Sequence, residues 1–157
     1  MNTLIRRKIL IFSFVGAIAA PLASFAQNFI NSKHSKAVIN TQAGKHEFVV
    51  ELARTEEQQA LGLMFRRSLR ANAGMLFDYR TPTFIRMWMK NTYVPLDMIF
   101  IGSDGYIRDI VQRTIPHSEA IITSTNKVRA VLEVNAGTVA KLNIQIGDKV
   151  EHSIFNN

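Results

Sequence analysis

The sequence predicts an α+β domain, mostly antiparallel β, folded as a compact small barrel or sandwich with two short helices. Three observations predict it. Short apolar stretches alternate with polar residues at the period of half-buried strands. Clusters of Gly, Asn, Asp and Pro punctuate those stretches and supply turns. Ile99, Phe100 and Ile101 run together without alternation. A strand of that kind is buried on both faces or curls within a barrel.

The first 26 residues read as an export signal rather than part of the fold. Arg6, Arg7 and Lys8 form a basic start, and Ile9 to Ala20 is almost wholly apolar. Pro21 ends the run, and Ser24-Phe25-Ala26 places small residues where a signal is cut. An uncleaved anchor over Ile9 to Ala26 is the rival reading, and Arg6-Arg7 also raises twin-arginine export. Residues 27–35 read as a flexible tether, and 36–157 as a single β-rich domain. The expected location is the periplasm, or the membrane surface if the signal stays attached.

Within the domain, Ala37, Ile39 and Thr41 alternate with polar neighbours, as do Phe48, Val50 and Leu52. Ala43-Gly44 between them completes a β-hairpin. Thr55 caps a helix, and Gln58 stands where a capping box needs it. Glu56 and Glu57 suit the positive end of the helix dipole, and Gly62 stops the helix or lets it pack closely. Asn72-Ala73-Gly74 reads as a turn, and Thr81-Pro82 as a break. Strands are expected over Phe84 to Asn91, from Tyr93 to Ile101 through Pro95, and from Tyr106 to Gln112 after a Gly102–Gly105 turn. Val128 to Val134 is a further strand. A short helix follows through Leu142, and Val150 opens the last strand.

Composition removes several function classes. There is no cysteine, which excludes disulfides, thiolate metal sites and thiol catalysis. The formal charge is +7, and loss of the three signal cations leaves +4. That balance suits solubility or an anionic ligand. No dense basic run lies beyond the signal, so nucleic acid is not an expected partner. The four histidines are scattered without metal-ligand spacing, and no nucleophile elbow or phosphate-cradling glycine loop is present. No metal or cofactor is expected. Methionines concentrated between Leu61 and Ile101 would suit copper(I), but thioethers are also ordinary core filler.

The segment Phe84 to Asn91 carries the most chemistry. On a strand, Ile85, Met87 and Met89 share one face; Phe84, Arg86, Trp88 and Lys90 share the other. The first face reads as core. The second is aromatic and cationic, able to hold an anionic group against a flat wall or simply to lie on the surface. Asn91 and Thr92 are turn-formers. Asp97 is a lone charge among apolar residues, with Arg66 and Lys90 its candidate cation partners. It reads as a tie for a loop, or as half of an acid/base pair with Glu133 if the two meet in space.

Several strings now accumulate in order: Gly62-Leu63-Met64-Phe65-Arg66, Gly74-Met75-Leu76-Phe77, Trp88-Met89-Lys90-Asn91-Thr92, Pro95-Leu96-Asp97, Leu132-Glu133-Val134 and Gly147-Asp148. Together they closely resemble the family known as domain of unknown function 192, over roughly Lys36 to Glu151. The resemblance implies a compact β-rich domain, often behind an export signal, and brings no established activity, substrate or cofactor. It marks Arg66, Trp88, Met89, Lys90, Asn91, Thr92, Pro95, Asp97 and Glu133 as motif positions. Met87 stands where an aromatic is expected before Trp88. The expected ligand-binding residues are therefore Arg66, Trp88, Lys90, Asn91, Thr92, Asp97 and Glu133. Three functions stay open: a non-enzymatic domain binding a small polar or anionic envelope ligand, an envelope enzyme using Asp97 and Glu133, and a structural or interaction module. Membrane contact is expected only through an uncleaved signal.

Overall fold

The computed structural model describes residues 34–156. The export signal and most of the expected tether lie outside the described residues. His34 and Ser35, expected as the end of that tether, open the first strand, paired with Glu51 and Val50.

The expected hairpin is β1 (His34–Thr41) and β2 (Gly44–Ala53), paired in full antiparallel register. Gly44, at φ 136°, closes the tight turn with a backbone that side-chain-bearing residues rarely adopt. The capping box forms as expected ahead of α1 (Glu56–Leu61). The Thr55 hydroxyl accepts from the Gln58 N–H, and the Gln58 side chain accepts from the Thr55 N–H. Gly62 ends the helix at φ 48° and sets it close against the Phe77 ring.

Three expectations fail in the next segment. Ala73 and Gly74 are not turn residues. They open β3 (Ala73–Thr83), which runs on past Thr81-Pro82, with Arg80 at φ 64° and an irregular register to the neighbouring strand between Asp78 and Thr83. Close packing explains the glycine: a side chain on Gly74 would start 2.5 Å from the Glu133 carbonyl oxygen of the neighbouring strand. Pro82 is tolerated because the ladder to the next strand is interrupted where it stands. The long strand expected over 84–91 shrinks to β4 (Arg86–Met87). Its alternation survives nonetheless: Ile85, Met87 and Met89 are buried, while Phe84, Arg86 and Trp88 are exposed.

β5 (Leu96–Ile101), β6 (Ile107–Val111), β8 (Val128–Asn135), α2 (Thr138–Leu142) and β9 (Lys149–Glu151) match the expected order. β7 (Ile122–Thr123), unforeseen, pairs with β4 as a small second sheet. The main sheet runs β6-β5-β8-β3-β2-β1-β9. All its pairings are antiparallel except β2 with β3, where α1 and its loop carry the chain back. The sheet curls into a half-barrel. Near its ends, Tyr106 bridges to Lys149 and the Val150 N–H donates to the Gly105 carbonyl at 2.8 Å.

Both sheet faces are covered. Ile39, Phe48, Leu76, Ile99 and Leu132 belong to the core on the concave side, closed by Val139, Ile144 and Ile154. Met75, Phe77, Met98, Phe100 and Val131 belong to a second core, closed by Leu63, Ile85, Met87 and Met89. β5 lies between the two cores and is buried at every residue, the reason its sequence does not alternate.

Candidate functional site

β5 and β8 carry the two carboxylates singled out in the sequence. Their register pairs Asp97 with Val134 and Met98 with Glu133. Directly paired residues point to the same face and successive ones to opposite faces. Asp97 therefore lies on the face of Ile99 and Leu132, and Glu133 on the opposite face with Met98 and Val131. The acid/base pair is not assembled, and the sheet itself separates its members.

Asp97 is fully buried, but neither Arg66 nor Lys90 is its partner. One carboxylate oxygen accepts the Val139 N–H at 2.9 Å, and the other accepts the Arg113 N–H at 2.8 Å. Val139 is in the first turn of α2, whose preceding residue Gly137 has no side chain to cap it. Asp97 thus supplies the missing cap across the fold, with its charge at the positive end of the helix. It is an aspartate that ties a loop, one of the two roles its sequence context allows, and it lines neither the cavity nor the cleft described below.

Glu133 is different. It is buried, with Met75 of β3 and Met98 of β5 directly beside it in register. Thioethers give a carboxylate no donors, and none of the described residues donates to it. Burial alone pushes its carboxyl up to about 8, so it holds its proton at neutral pH. It faces a cavity of about 280 Å³ between the second core and the α1 segment. Gln59, Gly62, Met64, Tyr79, Met87 and Thr92 line the cavity, with Arg86 and Trp88 exposed at its rim. The Tyr79 hydroxyl donates to the Met87 sulfur at 3.4 Å, and it too is pushed up to about 12 by burial and by the nearby Glu133. The Gln59 amide donates to the Asp78 carbonyl at 3.1 Å, and the Thr92 hydroxyl to the Lys90 carbonyl at 3.2 Å. Glu133 is left as the buried titratable group that faces the cavity without a hydrogen-bond partner among the described residues, with Arg86 exposed at the rim.

The other expected residues distribute around this centre. Trp88 and Thr92 line the cavity with Glu133. Lys90 stands over the Trp88 ring, 5.2 Å from its centroid, and 3.9 Å from the Glu119 carboxylate. Asn91, at φ 53°, offers its carbonyl to the Phe65 N–H at 2.9 Å and shapes the loop. Arg66 grips Glu51 through two bonds, one at 2.8 Å, and holds the segment after α1 onto β2. Arg86, expected on the cationic face of its strand, lines the cavity as well, whereas Gln59, Met64 and Tyr79 are not among the expected site residues. Tyr79 had a signal: continuing the alternation of Met75 and Phe77 along β3 places it on the same face, and only the expected break hid it.

A larger, more open cleft of about 600 Å³ lies beside α2, between Lys45 and Lys141. Asn135 there already donates to the Leu69 and Arg70 carbonyls, both at 3.0 Å. No buried titratable group faces it, so chemistry favours the smaller cavity.

Residues 38–152 match the DUF192 family, described as Uncharacterized ACR. Two solved structures are similar over most of the chain. One is a Sinorhizobium meliloti 1021 protein described provisionally as a transcription regulator, 47% identical, covering 78% of this chain and 96% of its own, with a TM-score of 0.76. The other is a protein of unknown function from Novosphingobium aromaticivorans DSM 12444, 40% identical, covering 76% of this chain and 85% of its own, with a TM-score of 0.74. No protein of curated function matches.

Proposed function

The chain belongs to the DUF192 family, and from that premise we propose that it is an exported domain that binds a small polar molecule in the cavity closed by Glu133. The observation that carries the reading is Glu133, buried without a hydrogen-bond partner among the described residues and facing a cavity of about 280 Å³; that burial pushes its carboxyl up to about 8. A carboxyl kept neutral in an apolar site is a hydrogen-bond donor. Its complement is an acceptor: a carbonyl, a hydroxyl or a carboxylate. Because Glu133 carries no charge at neutral pH, an anionic ligand is not repelled. Arg86 and Lys90 near the rim favour such a ligand, and Trp88 offers a flat surface for an apolar face. Pockets for drug-sized ligands span roughly 300–1,000 Å³, so this one suits a molecule of single-sugar or amino-acid size. The signal-like first 26 residues support an envelope location, where acetylated sugars supply that chemistry.

The test is thermal unfolding of the chain with N-acetylglucosamine, N-acetylmuramic acid, glucose and acetate. A ligand that binds the native state raises the midpoint by mass action. The expected result is a shift with at least one acceptor-bearing probe that Glu133→Leu abolishes. Glu133→Gln should keep the shift, since an amide also donates, and should free it from pH between 6 and 9. No shift with any of the four probes, or an equal shift in Glu133→Leu, overturns the proposal.

A further inference from the structure

The geometry points to a docking face for an anionic lipid surface, built from the outer side of the β4–β7 sheet and the loops that continue it. Arg86 pairs with Thr123 and Met87 with Ile122. Continuing that register sets Trp88 across from Ile121, and alternation places Phe84, Arg86 and Trp88 together on the outside. The main-chain bond from Met89 N–H to the Ser118 carbonyl, 2.9 Å, keeps the two segments side by side. Beyond them the Tyr93 ring packs 4.9 Å from His117 and 6.4 Å from Phe65. Ile115 stands at the start of the same loop, its carbonyl bonded by the Ser118 N–H at 3.2 Å.

Phe65, Phe84, Trp88, Tyr93, Ile115 and Ile121 are each between 43% and 72% exposed. Scattered singly, such residues need no explanation; grouped on adjoining segments, they mark a contact surface. Charge decides what the contact is. Across residues 63–67, 84–94 and 113–123 the only acid is Glu119, and it stands beside Lys90. The cations Arg67, Arg86 and Lys90 are interleaved with the rings. Aromatic rings at headgroup depth, with cationic stems reaching to phosphates, are the chemistry of a membrane interface. A protein partner would cover the rings, but the interleaved cations have their complement in a layer of anionic headgroups. The cavity rim lies on this face, since Arg86 and Trp88 belong to both. The docking face stands whatever the cavity holds.

Trp88 is the only tryptophan in the chain, so its emission reports on this face and on no other. The experiment adds vesicles of phosphatidylglycerol and phosphatidylcholine, doped with brominated lipid, to the full chain. The expected result is a blue shift and quenching of Trp88, about tenfold weaker on pure phosphatidylcholine and weakened by salt. Arg86→Gln with Lys90→Gln should reduce the apparent affinity about tenfold. Tyr106→Ala, at an exposed ring elsewhere, should leave it unchanged; circular dichroism of each variant checks the fold. Unchanged Trp88 emission overturns the docking face, even if the chain sediments with vesicles through another segment. Equal quenching of the double variant overturns it as well. Ligand binding read without vesicles keeps this outcome separate from that of the cavity.

Discussion

Replacing Glu133 by Gln should stabilise the protein, increasingly as pH rises. The sign follows from where the proton sits. Below pH 4.5 the carboxyl is protonated in both states, and burial carries no ionic cost. Between 4.5 and about 8 the unfolded chain releases its proton while the native chain keeps it, so each rise in pH favours unfolding. The loss is complete only above 8. At about 1.4 kcal/mol for each tenfold change in proton concentration, it amounts to under about 1 kcal/mol at pH 5, about 3 at pH 7 and about 5 at pH 9. Glutamine keeps the shape and does not titrate. Any cost of burying its amide is a constant offset, and every other titrating group is shared by the two proteins. The readout is therefore the difference between their pH profiles in urea unfolding at pH 5, 7 and 9. The variant should gain about 4 kcal/mol on the parent across that range, about 2 M in urea midpoint for a slope near 2 kcal/mol per molar. Profiles parallel to within about 1 kcal/mol would refute the reasoning, because Glu133 would then ionise as readily in the fold as in water.

Asp97→Ala removes two charge-assisted bonds and leaves the Val139 and Arg113 N–H groups without an acceptor; it should cost about 3 kcal/mol in urea unfolding, and a loss under about 1 would sink the capping role. Gly74→Ala must push apart β3 and β8 at the Glu133 carbonyl, so a loss of about 2 kcal/mol or more is expected in the same assay, with no gain from the added helix or strand propensity. Thr55→Ala deletes one half of the capping box and should cost about 1 kcal/mol, while Thr55→Ser should restore most of it.

The parts of the fold legible in the sequence are those fixed by local chemistry. The β1–β2 hairpin follows from its alternation and a glycine at the turn, and the α1 cap from Thr55 and Gln58, three residues apart. The burial of β5 on both faces follows from the unbroken run at Ile99 to Ile101. What failed was set by distant neighbours. Ala73-Gly74 looks like a turn from its own composition, yet the glycine is there because β8 passes too close for a side chain. Arg86–Met87 keeps only a two-residue ladder because its partner, Ile122–Thr123, lies more than thirty positions away and has no strong pattern of its own. The site divides the same way. Trp88, Thr92 and Glu133 were visible as unusual residues, but which of Asp97 and Glu133 faces a cavity is a matter of register. One step along a strand exchanges the faces.

That one step explains why two buried acids of similar sequence context have opposite physical characters. Asp97 is satisfied by two backbone donors, so its burial is compensated within the fold. Glu133 has methionines where donors would be, and its burial opposes the fold at every pH above its ordinary range. A core position selected for packing alone would hold a leucine or a glutamine there, and stability would rise. A residue that lowers stability and faces a cavity is the pattern of a site whose chemistry competes with its own folding. The purely structural alternative, that Glu133 specifies the register of β8 against β3 and β5, makes a different prediction for the same variants. Under it, Glu133→Leu loosens the β3–β8 pairing, and amide exchange at Leu132 and Val134 speeds up with no probe present. Under the binding reading, Glu133→Leu leaves those amides as protected as in the parent or more so, and only the ligand-induced shift disappears.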